Sequence, residues 1–285
     1  MKPSILLAGY NHSNSQVKPY NHFNTHNNNN IVRLIFSLVT TLLLSLPVHA
    51  ANIALIIDDM GYRKQDVEAF TLPAEVTFAI LPHTPFSTTY AKKAAAQHRD
   101  VMLHMPMEAL AGNRLGPGAL TASMDNQAIQ NTLNDALDSV PHAIGLNNHM
   151  GSKLTQLTLP MQATMAFLRQ QQLFFIDSRT TRYSKANKIA TRFGVPNTHR
   201  QVFLDHFQNQ KHMQAQFDRL VRIARKYNNA IGIAHPYPQT LSFLQQQLPK
   251  LQDMQIQLIP VSRLMQEKAL AMTESVADNT NVGSD

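Results

Sequence analysis

The chain has 285 residues, enough for one large α/β domain or two small ones. It contains no cysteine, so disulfides and cysteine-ligated zinc are excluded, and any metal must be bound by His, Asp, Glu or Asn. The formal charge is +7, but Lys2, Lys18 and Arg33 in the acid-free first fifty residues supply three of these charges. The remaining +4 forms no dense basic stripe, which argues against a nucleic-acid partner.

The N-terminal 1–50 region reads as a polar leader followed by a secretory signal peptide. Residues 1–30 are rich in Asn and His and cannot bury a core. Arg33 then precedes a short apolar run, and small residues follow up to Ala50. This order predicts cleavage after Ala50 and export to a bacterial periplasm. The run is shorter than the roughly twenty residues of a membrane span, so no stable span is expected after cleavage. The alternatives are an uncleaved anchor and a true translation start near Ile31.

From Ala51 onward, short apolar runs alternate with helical patterns, which favours parallel strands joined by helical crossovers. The predicted strands are Ile53–Ile57, Val76–Leu81, Val101–His104, Ala143–Asn147, Phe174–Asp177, Val202–Asp205, Ala230–His235 and Ile256–Val261. The predicted helices are Pro85–Arg99, Asp125–Val140, Pro160–Gln172 with Thr158 as a cap, Ser184–Phe193, Asn209–Tyr227 and Leu241–Leu251. Seven or eight such units over 51–268 predict one α/β domain, a distorted (β/α)7–8 barrel, with an open sheet as the alternative. Residues 269–285 are polar and aperiodic, which predicts a flexible tail.

The first predicted strand ends in two adjacent carboxylates, Asp58 and Asp59, followed by Gly61. The carboxyl edge of a parallel sheet is where α/β folds place their chemistry. Because side chains alternate along a strand, we expect the two acids to point apart and to take different roles. A turn with a helix cap is the alternative interpretation of this stretch.

Four later strands also end in polar residues, and in a barrel these ends share one rim. The segments are His104–Glu108, Asn147–Ser152, Asp177–Thr181 and His235–Pro238, with Asp205 and His206 as minor candidates. Turns favour Gly, Pro, Asn and Ser over His, so this repetition indicates a functional site. His and Asp without Cys are typical ligands of Zn²⁺ or Mn²⁺, and we predict that Asp59, His104 and His149 bind a divalent metal and leave one position open.

The remaining rim residues are assigned to catalysis and substrate binding. Asp58 is predicted to act as the base and His235 as the acid. The predicted substrate-binding residues are Glu108, Asn148, Asp177 and Arg179. Arg179 suits a grip on an anion, or an ion pair with Asp177 or Asp58, and Glu108 could be structural or a further ligand. The alternatives are a buried structural role for His104, a polar turn at His149 and a turn stiffened by Pro236 at His235.

Five motifs together resemble the divergent polysaccharide deacetylase family of bacterial envelopes. They are Ile-Asp-Asp-Met-Gly at 57–61, His-Met-Pro-Met-Glu at 104–108, Gly-Leu-Asn-Asn-His-Met-Gly-Ser at 145–152, Phe-Ile-Asp-Ser-Arg-Thr at 175–180 and Gly-Ile-Ala-His-Pro-Tyr-Pro at 232–238. The resemblance covers 51–265 and implies a relationship to NodB-like carbohydrate esterases, which have a (β/α) barrel and a metal held by one Asp and two His. It also implies that Asp58 is the base, Asp59 a metal ligand and His235 the acid.

The sequence departs from the esterase pattern in two places. Where those enzymes have His-x-x-x-His, this chain has His104 followed by Glu108, and their Arg-containing third motif is missing. Asn148 and His149 stand in that region, so His149 is assigned as a ligand from the predicted geometry.

The resemblance implies a periplasmic, metal-dependent deacetylase of N-acetylated envelope or cell-wall glycans, with zinc as the expected metal. A catalytically inactive barrel that binds a glycan, or a partner in the cell envelope or division machinery, is the main alternative. A hydrolase of another ester or of a phosphate, with Arg179 as the anion grip, is a third. No phosphate-binding Gly-rich loop, Gly-x-Ser-x-Gly or His-Glu-x-x-His motif is present, which disfavours nucleotide enzymes, serine hydrolases and common zinc peptidases.

Overall fold

The computed structural model describes residues 50–269, and its strands form a single parallel sheet. The strands are β1 (Ala51–Met60), β2 (Thr77–Ile80), β3 (Val101–Met107), β4 (Ala143–Met150), β5 (Phe174–Asp177), β6 (Asn197–His199), β7 (Val202–Phe203), β8 (Asn229–Ala234) and β9 (Ile256–Leu258). The predicted signal peptide and residues 270–285 of the predicted tail lie outside the described residues. Ala269, predicted as the first residue of the tail, is instead helical.

Helices connect most of the strands. They are α1 (Ser87–Ala96), α2 (Asn126–Ser139), α3 (Thr158–Gln170), α4 (Ala186–Arg192), α5 (Gln210–Tyr227), α6 (Pro238–Gln247) and α7, which covers residues 261–269. Short 3₁₀ segments lie at Lys64–Thr71, Leu154–Gln156 and Leu248–Leu251. No helix within 50–269 has the length and apolar character that crossing a membrane requires.

The strand order is β6-β5-β4-β3-β2-β1-β8-β7, with β9 paired to the start of β1. The two outer strands of this order are consecutive in sequence, because only Arg200 and Gln201 separate β6 from β7. The backbone N–H of Arg200 donates to Asp177 O in β5, and that of Gln201 donates to Ile231 O in β8. One short stretch of chain therefore joins both edges of the sheet. The fold is the predicted distorted (β/α) barrel rather than an open sheet.

Two apolar cores lie on opposite faces of the sheet. Along β1, Ile53, Leu55 and Ile57 belong to the cluster between the strands and the outer helices. Ala54 and Ile56, which alternate with them, belong to the smaller cluster inside the barrel. Burial on both faces explains why this strand reads as an unbroken apolar run.

Helix α7 closes the amino end of the barrel. Its residues Val261 and Leu264 pack in the interior cluster. The backbone N–H of Val261 donates to Thr77 Oγ1, and that of Ser262 donates to Asp100 Oδ2, which anchors the helix at the starts of β2 and β3. The plugged amino end leaves the carboxyl ends of the strands to form the site.

The predicted elements differ from the structure mainly at their boundaries. Strand β6 and the 3₁₀ segment Lys64–Thr71 were not predicted, because both are short and carry no clear apolar period. Helix α7 was not predicted either, and its first residue, Val261, lies within the predicted strand Ile256–Val261. Thr158 is the first residue of α3 rather than its cap, and the preceding Leu157 makes no capping hydrogen bond. By contrast, Asp125 and Asn209 cap α2 and α5 with their side chains.

Candidate metal centre

The two acids at the end of β1 face the same point rather than opposite sides. Asp59 has a left-handed backbone with φ of 59°, and the pairing of β1 with β2 shifts register between Ile57 and Met60. This irregularity breaks the alternation of side chains, so the expectation that the acids point apart is wrong. Asp59 Oδ1 lies 3.1 Å and Asp58 Oδ2 3.7 Å from Nε2 of His104. Left-handed backbone in a non-glycine residue is uncommon and concentrates at functional sites.

Three potential metal-ligand atoms converge at the carboxyl edge of the sheet. They belong to Asp59, His104 and His149, and all lie within 4.8 Å of one another. Asp59 Oδ1 is 3.1 Å from His104 Nε2 and 2.8 Å from His149 Nδ1, and the two nitrogens are 3.1 Å apart. Strands β3 and β4 are paired neighbours, which brings the two histidines together. Ligand atoms bound to one tetrahedral Zn²⁺ at about 2.0–2.2 Å are roughly 3.4 Å apart, so the observed spacing is close to that of a metal site.

Asn147 orients the His104 ring. Its side-chain Nδ2 donates to Asp58 Oδ1 at 2.8 Å, which fixes the amide so that its oxygen faces His104 Nδ1, also at 2.8 Å. Nδ1 of His104 therefore carries the proton, and in the neutral ring the lone pair of Nε2 points at the Asp59 carboxylate. A fixed tautomer of this kind prepares a histidine for a metal. Asn147 is fully buried and was not among the predicted site residues.

The charges of the cluster are consistent with a cation-binding site. Burial would raise the pKa of Asp59, but hydrogen bonds from His104 and His149 outweigh this effect and hold the pKa well below its usual range. For His104, burial alone would lower the pKa, but the carboxylates of Asp58 and Asp59 outweigh burial and raise it. Without a metal, positive charge is therefore favoured on the His104 imidazole beside the ionised Asp59 carboxylate.

Asp58 lies beside the three ligand atoms and is almost completely buried. Burial raises the pKa of its carboxyl, although the charges of His104 and His235 oppose the shift. A raised pKa beside a candidate metal centre is consistent with the predicted role of Asp58 as a general base, which stays a prediction.

His235 follows β8, the strand paired with β1, and is held by Asp205. Its Nδ1 lies 2.9 Å from Asp205 Oδ1, and its backbone N–H donates to Asp205 Oδ2 at 2.7 Å. Thr240 Oγ1 donates to the same Oδ2. The other ring nitrogen, Nε2, is 3.9 Å from Asp59 Oδ2. Burial would lower the pKa of His235, but the hydrogen bond and charge of Asp205 outweigh it and raise the pKa to about 9.

Glu108 and Asn148, both predicted to bind substrate, are tied to the protein itself. The carboxylate of Glu108 accepts hydrogen bonds from the Ala122 backbone and from Lys153 Nζ, and it is not part of the Asp59 cluster. Asn148 is buried, donates to Met150 O and accepts from the Ser178 backbone N–H. Their contacts are structural.

Asp177 and Arg179 do not form the predicted side-chain ion pair. The Asp177 carboxylate is buried and accepts from the Arg179 backbone N–H and from Ser184 Oγ, while the Arg179 side chain is exposed. The arginine that lies against this rim is Arg200, one of the two residues between β6 and β7, and no pattern in the sequence pointed to it. Its guanidinium donates to the carbonyls of Ser178 and Arg179.

The fold and site define a class: a (β/α) barrel with one aspartate and two histidines converging at the carboxyl edge. The family model for divergent polysaccharide deacetylases matches residues 55–265, and the chain belongs to this family. This confirms the resemblance found in the five motifs.

Relatives and a solved structure support the same assignment. An uncharacterised protein of Escherichia coli K12 named YibQ is 36% identical over 236 residues, which cover 82% of this chain and 74% of the relative. An uncharacterised protein of Haemophilus influenzae is 37% identical, over 81% of this chain and 82% of the relative. The crystal structure of the uncharacterised protein ATU2773 from Agrobacterium tumefaciens has a TM-score of 0.74 at 21% identity, covers 77% of this chain and 91% of its own, and shows the same fold.

Proposed function

We propose that the protein is a periplasmic, metal-dependent hydrolase that removes acetyl groups from N-acetylated glycans of the cell wall or envelope. The observation that carries the proposal is the convergence of Asp59, His104 and His149, flanked by Asp58 on one side and His235 on the other. Membership of the divergent polysaccharide deacetylase family supports a glycan as substrate. Periplasmic location rests on the predicted signal peptide.

Asp59, His104 and His149 would hold the metal, and zinc is the expected ion because the ligands are imidazole nitrogens and a carboxylate oxygen. Three protein ligands leave room for water and substrate. The chemistry that a divalent ion would supply there is a lower pKa for water and a polarised acetamide carbonyl.

Asp58 and His235 supply the proton transfers in this mechanism. Asp58 accepts a proton from the attacking water, whose oxygen forms a bond to the carbonyl carbon. His235 is protonated at neutral pH and its Nδ1 is held by Asp205, so Nε2–H is the group that faces the site. It gives its proton to the sugar nitrogen as the carbon–nitrogen bond breaks. The products are acetate and an amino sugar.

The test combines metal analysis with acetate release. Purified protein loaded with Zn²⁺ is incubated with chitooligosaccharides and with peptidoglycan fragments, and acetate is measured. We expect release that is lost in the Asp58→Asn and Asp59→Ala variants and kept in Asp218→Asn, a control on the exposed face of α5. A native protein that binds no divalent ion and releases no acetate from either substrate would contradict the proposal.

A second candidate is a barrel that binds glycans without turnover. The observation that favours it is Glu108, which stands where the esterase pattern has its second histidine and is tied to Lys153 and Ala122. The two candidates separate if the native protein and Asp58→Asn bind glycan equally. Product formed only by the native protein supports the enzyme, and glycan binding without any product supports the second candidate.

A further inference from the structure

A cleft of about 670 Å³ adjoins the candidate metal centre. Its walls include the ligand His149, the ring of Tyr62 and the side chain of Arg114. This volume is within the range of sites for small organic molecules, and it exceeds what a single acetamide group fills. We call it the Arg114 cleft. It provides space for a sugar residue next to the one whose acetamide is hydrolysed.

The loop 109–119 carries Arg114, and backbone hydrogen bonds join the residues on either side of it. The backbone N–H of Leu120 donates to Pro106 O, and the N–H of Glu108 donates to Leu120 O. The Glu108 carboxylate also accepts hydrogen bonds from Lys153 Nζ and from the backbone N–H of Ala122, just beyond the loop. These contacts fix both ends of the loop beside β3. Of the alternatives that the sequence left open for Glu108, these contacts support the structural one, because the residue holds the loop that lines the cleft.

The loop also packs closely against Tyr62. A Cβ atom added at Gly116 would lie 3.2 Å from the Tyr62 hydroxyl, so the small residue allows the close approach. Tyr62 is 46% exposed although it is a large aromatic residue beside a catalytic-type centre. An exposed aromatic face with a polar hydroxyl suits the alternating apolar and polar surface of a sugar ring.

Arg114 is the only lysine, arginine or acid among the residues that line the cleft. It is exposed, and no acidic side chain within residues 50–269 forms a salt bridge or hydrogen bond with it. The acids around the rim all have partners of their own; they are Asp58, Asp59, Glu108, Asp177 and Asp205. The Arg114 guanidinium is thus available for an anion on a ligand, and its planar geometry matches a carboxylate.

We infer that the Arg114 cleft binds a carboxylate-bearing sugar adjacent to the acetamido sugar, so that the substrate is an acidic glycan. The inference rests on the proposed function, whose substrate it narrows. Two kinds of sugar supply this carboxylate: a uronic acid, and a sugar that carries a lactic acid ether. Both present the same charged group to Arg114.

The test measures binding separately from turnover. Zinc-loaded Asp58→Asn protein is titrated with three tetrasaccharides: neutral chitotetraose, an alternating N-acetylglucosamine and glucuronic acid chain, and an alternating N-acetylglucosamine and N-acetylmuramic acid chain. We expect at least one acidic tetrasaccharide to bind about tenfold more tightly than chitotetraose, as one charge-assisted contact provides. The preferred acidic chain identifies the source of the carboxylate.

The variants assign the preference to one residue. In the Asp58→Asn background, Arg114→Gln should abolish the preference for the acidic tetrasaccharide and leave chitotetraose binding unchanged. Arg114→Lys should retain part of the preference. Arg222→Gln removes an exposed arginine from α5 and should retain all of it. Equal affinity for the three chains, or a preference that persists in Arg114→Gln, overturns the inference. Acetate release by the native protein is scored independently, so a preference without acetate would reject the proposed activity and retain the acidic ligand.

Discussion

Two groups of histidine and carboxylate lie at the same edge of the barrel and are built in different ways. In the first, His104 and His149 both direct a ring nitrogen at Asp59 Oδ1, and these two nitrogens are 3.1 Å apart. In the second, His235 meets a single carboxylate, Asp205, through its ring and its backbone. The first arrangement brings several potential ligand atoms to one point, whereas in the second the ring Nδ1 and the backbone N–H of His235 each meet a different oxygen of one carboxylate.

The difference indicates two chemical roles. Ligand atoms that converge leave the cluster best satisfied by a cation. A histidine paired through Nδ1 keeps its proton and presents Nε2 to the site, which is the arrangement of a general acid. On this basis we propose that the first group binds a metal and that His235 acts as the acid.

The largest expected effect comes from removing the acid. We predict that His235→Gln lowers kcat by about 10²–10⁴-fold, because this is the usual contribution of a positioned general acid. Zinc affinity should change little, since the ring is not among the three ligand atoms. Steady-state acetate release and zinc titration of the same preparation test both parts.

Asp205→Asn is the control for the role of the carboxylate partner. It removes the charge that raises the pKa of His235, so the pKa should fall and the alkaline limb of the kcat profile should move to lower pH. An unchanged profile in Asp205→Asn, or full activity in His235→Gln, would contradict the assignment of His235 as the acid.

The same pair should make the stability of the metal-free protein depend on pH. The pKa of His235 is about 9 in the folded state and 6.5 in the unfolded chain, where the histidine has no partner. The protonated pair therefore stabilises the fold fully below pH 6.5, and this contribution is lost as pH rises through 9. The upper limit is about 3 kcal/mol. Urea unfolding in EDTA at pH 6 and pH 9.5 should show the free-energy difference between native protein and His235→Gln shrinking at the higher pH. A difference that is constant or grows with pH would reject this linkage.

A smaller effect is expected when the partner of a ligand is removed. Asn147→Leu leaves all three ligand atoms in place but removes the amide that fixes the His104 tautomer and holds Asp58. We predict zinc binding weaker by roughly 10–100-fold, with the fold retained. Thr198→Val replaces another buried polar residue and serves as the matched control, with zinc affinity expected to be unchanged. Equal zinc affinity in Asn147→Leu and native protein would contradict the proposal that Asn147 positions His104 for the metal.

The sequence predicted those features that follow from apolar patterning and from the residue type at strand ends. Buried runs such as Ile53–Ile57 located the parallel strands, and polar residues after them located the rim where Asp59, His104 and His149 meet. Their role in binding a metal stays a prediction.

The details of the site depended on backbone geometry that the sequence does not encode locally. Asp58 and Asp59 point together only because of the left-handed residue and the register shift. Asn147, rather than the adjacent Asn148, faces the ligands because strand alternation puts them on opposite sides. Arg200 lies directly after β6, a strand too short to be recognised by its pattern.

The most direct test of the account is a zinc titration of the metal-free protein by calorimetry, with His149→Ala and His212→Ala compared side by side. His149 is the ligand assigned from geometry, and His212 lies on α5. The account predicts one Zn²⁺ per chain for the native protein and for His212→Ala, and greatly weakened binding for His149→Ala. Binding that is absent from the native protein, or that His149→Ala leaves unchanged, would contradict the metal centre.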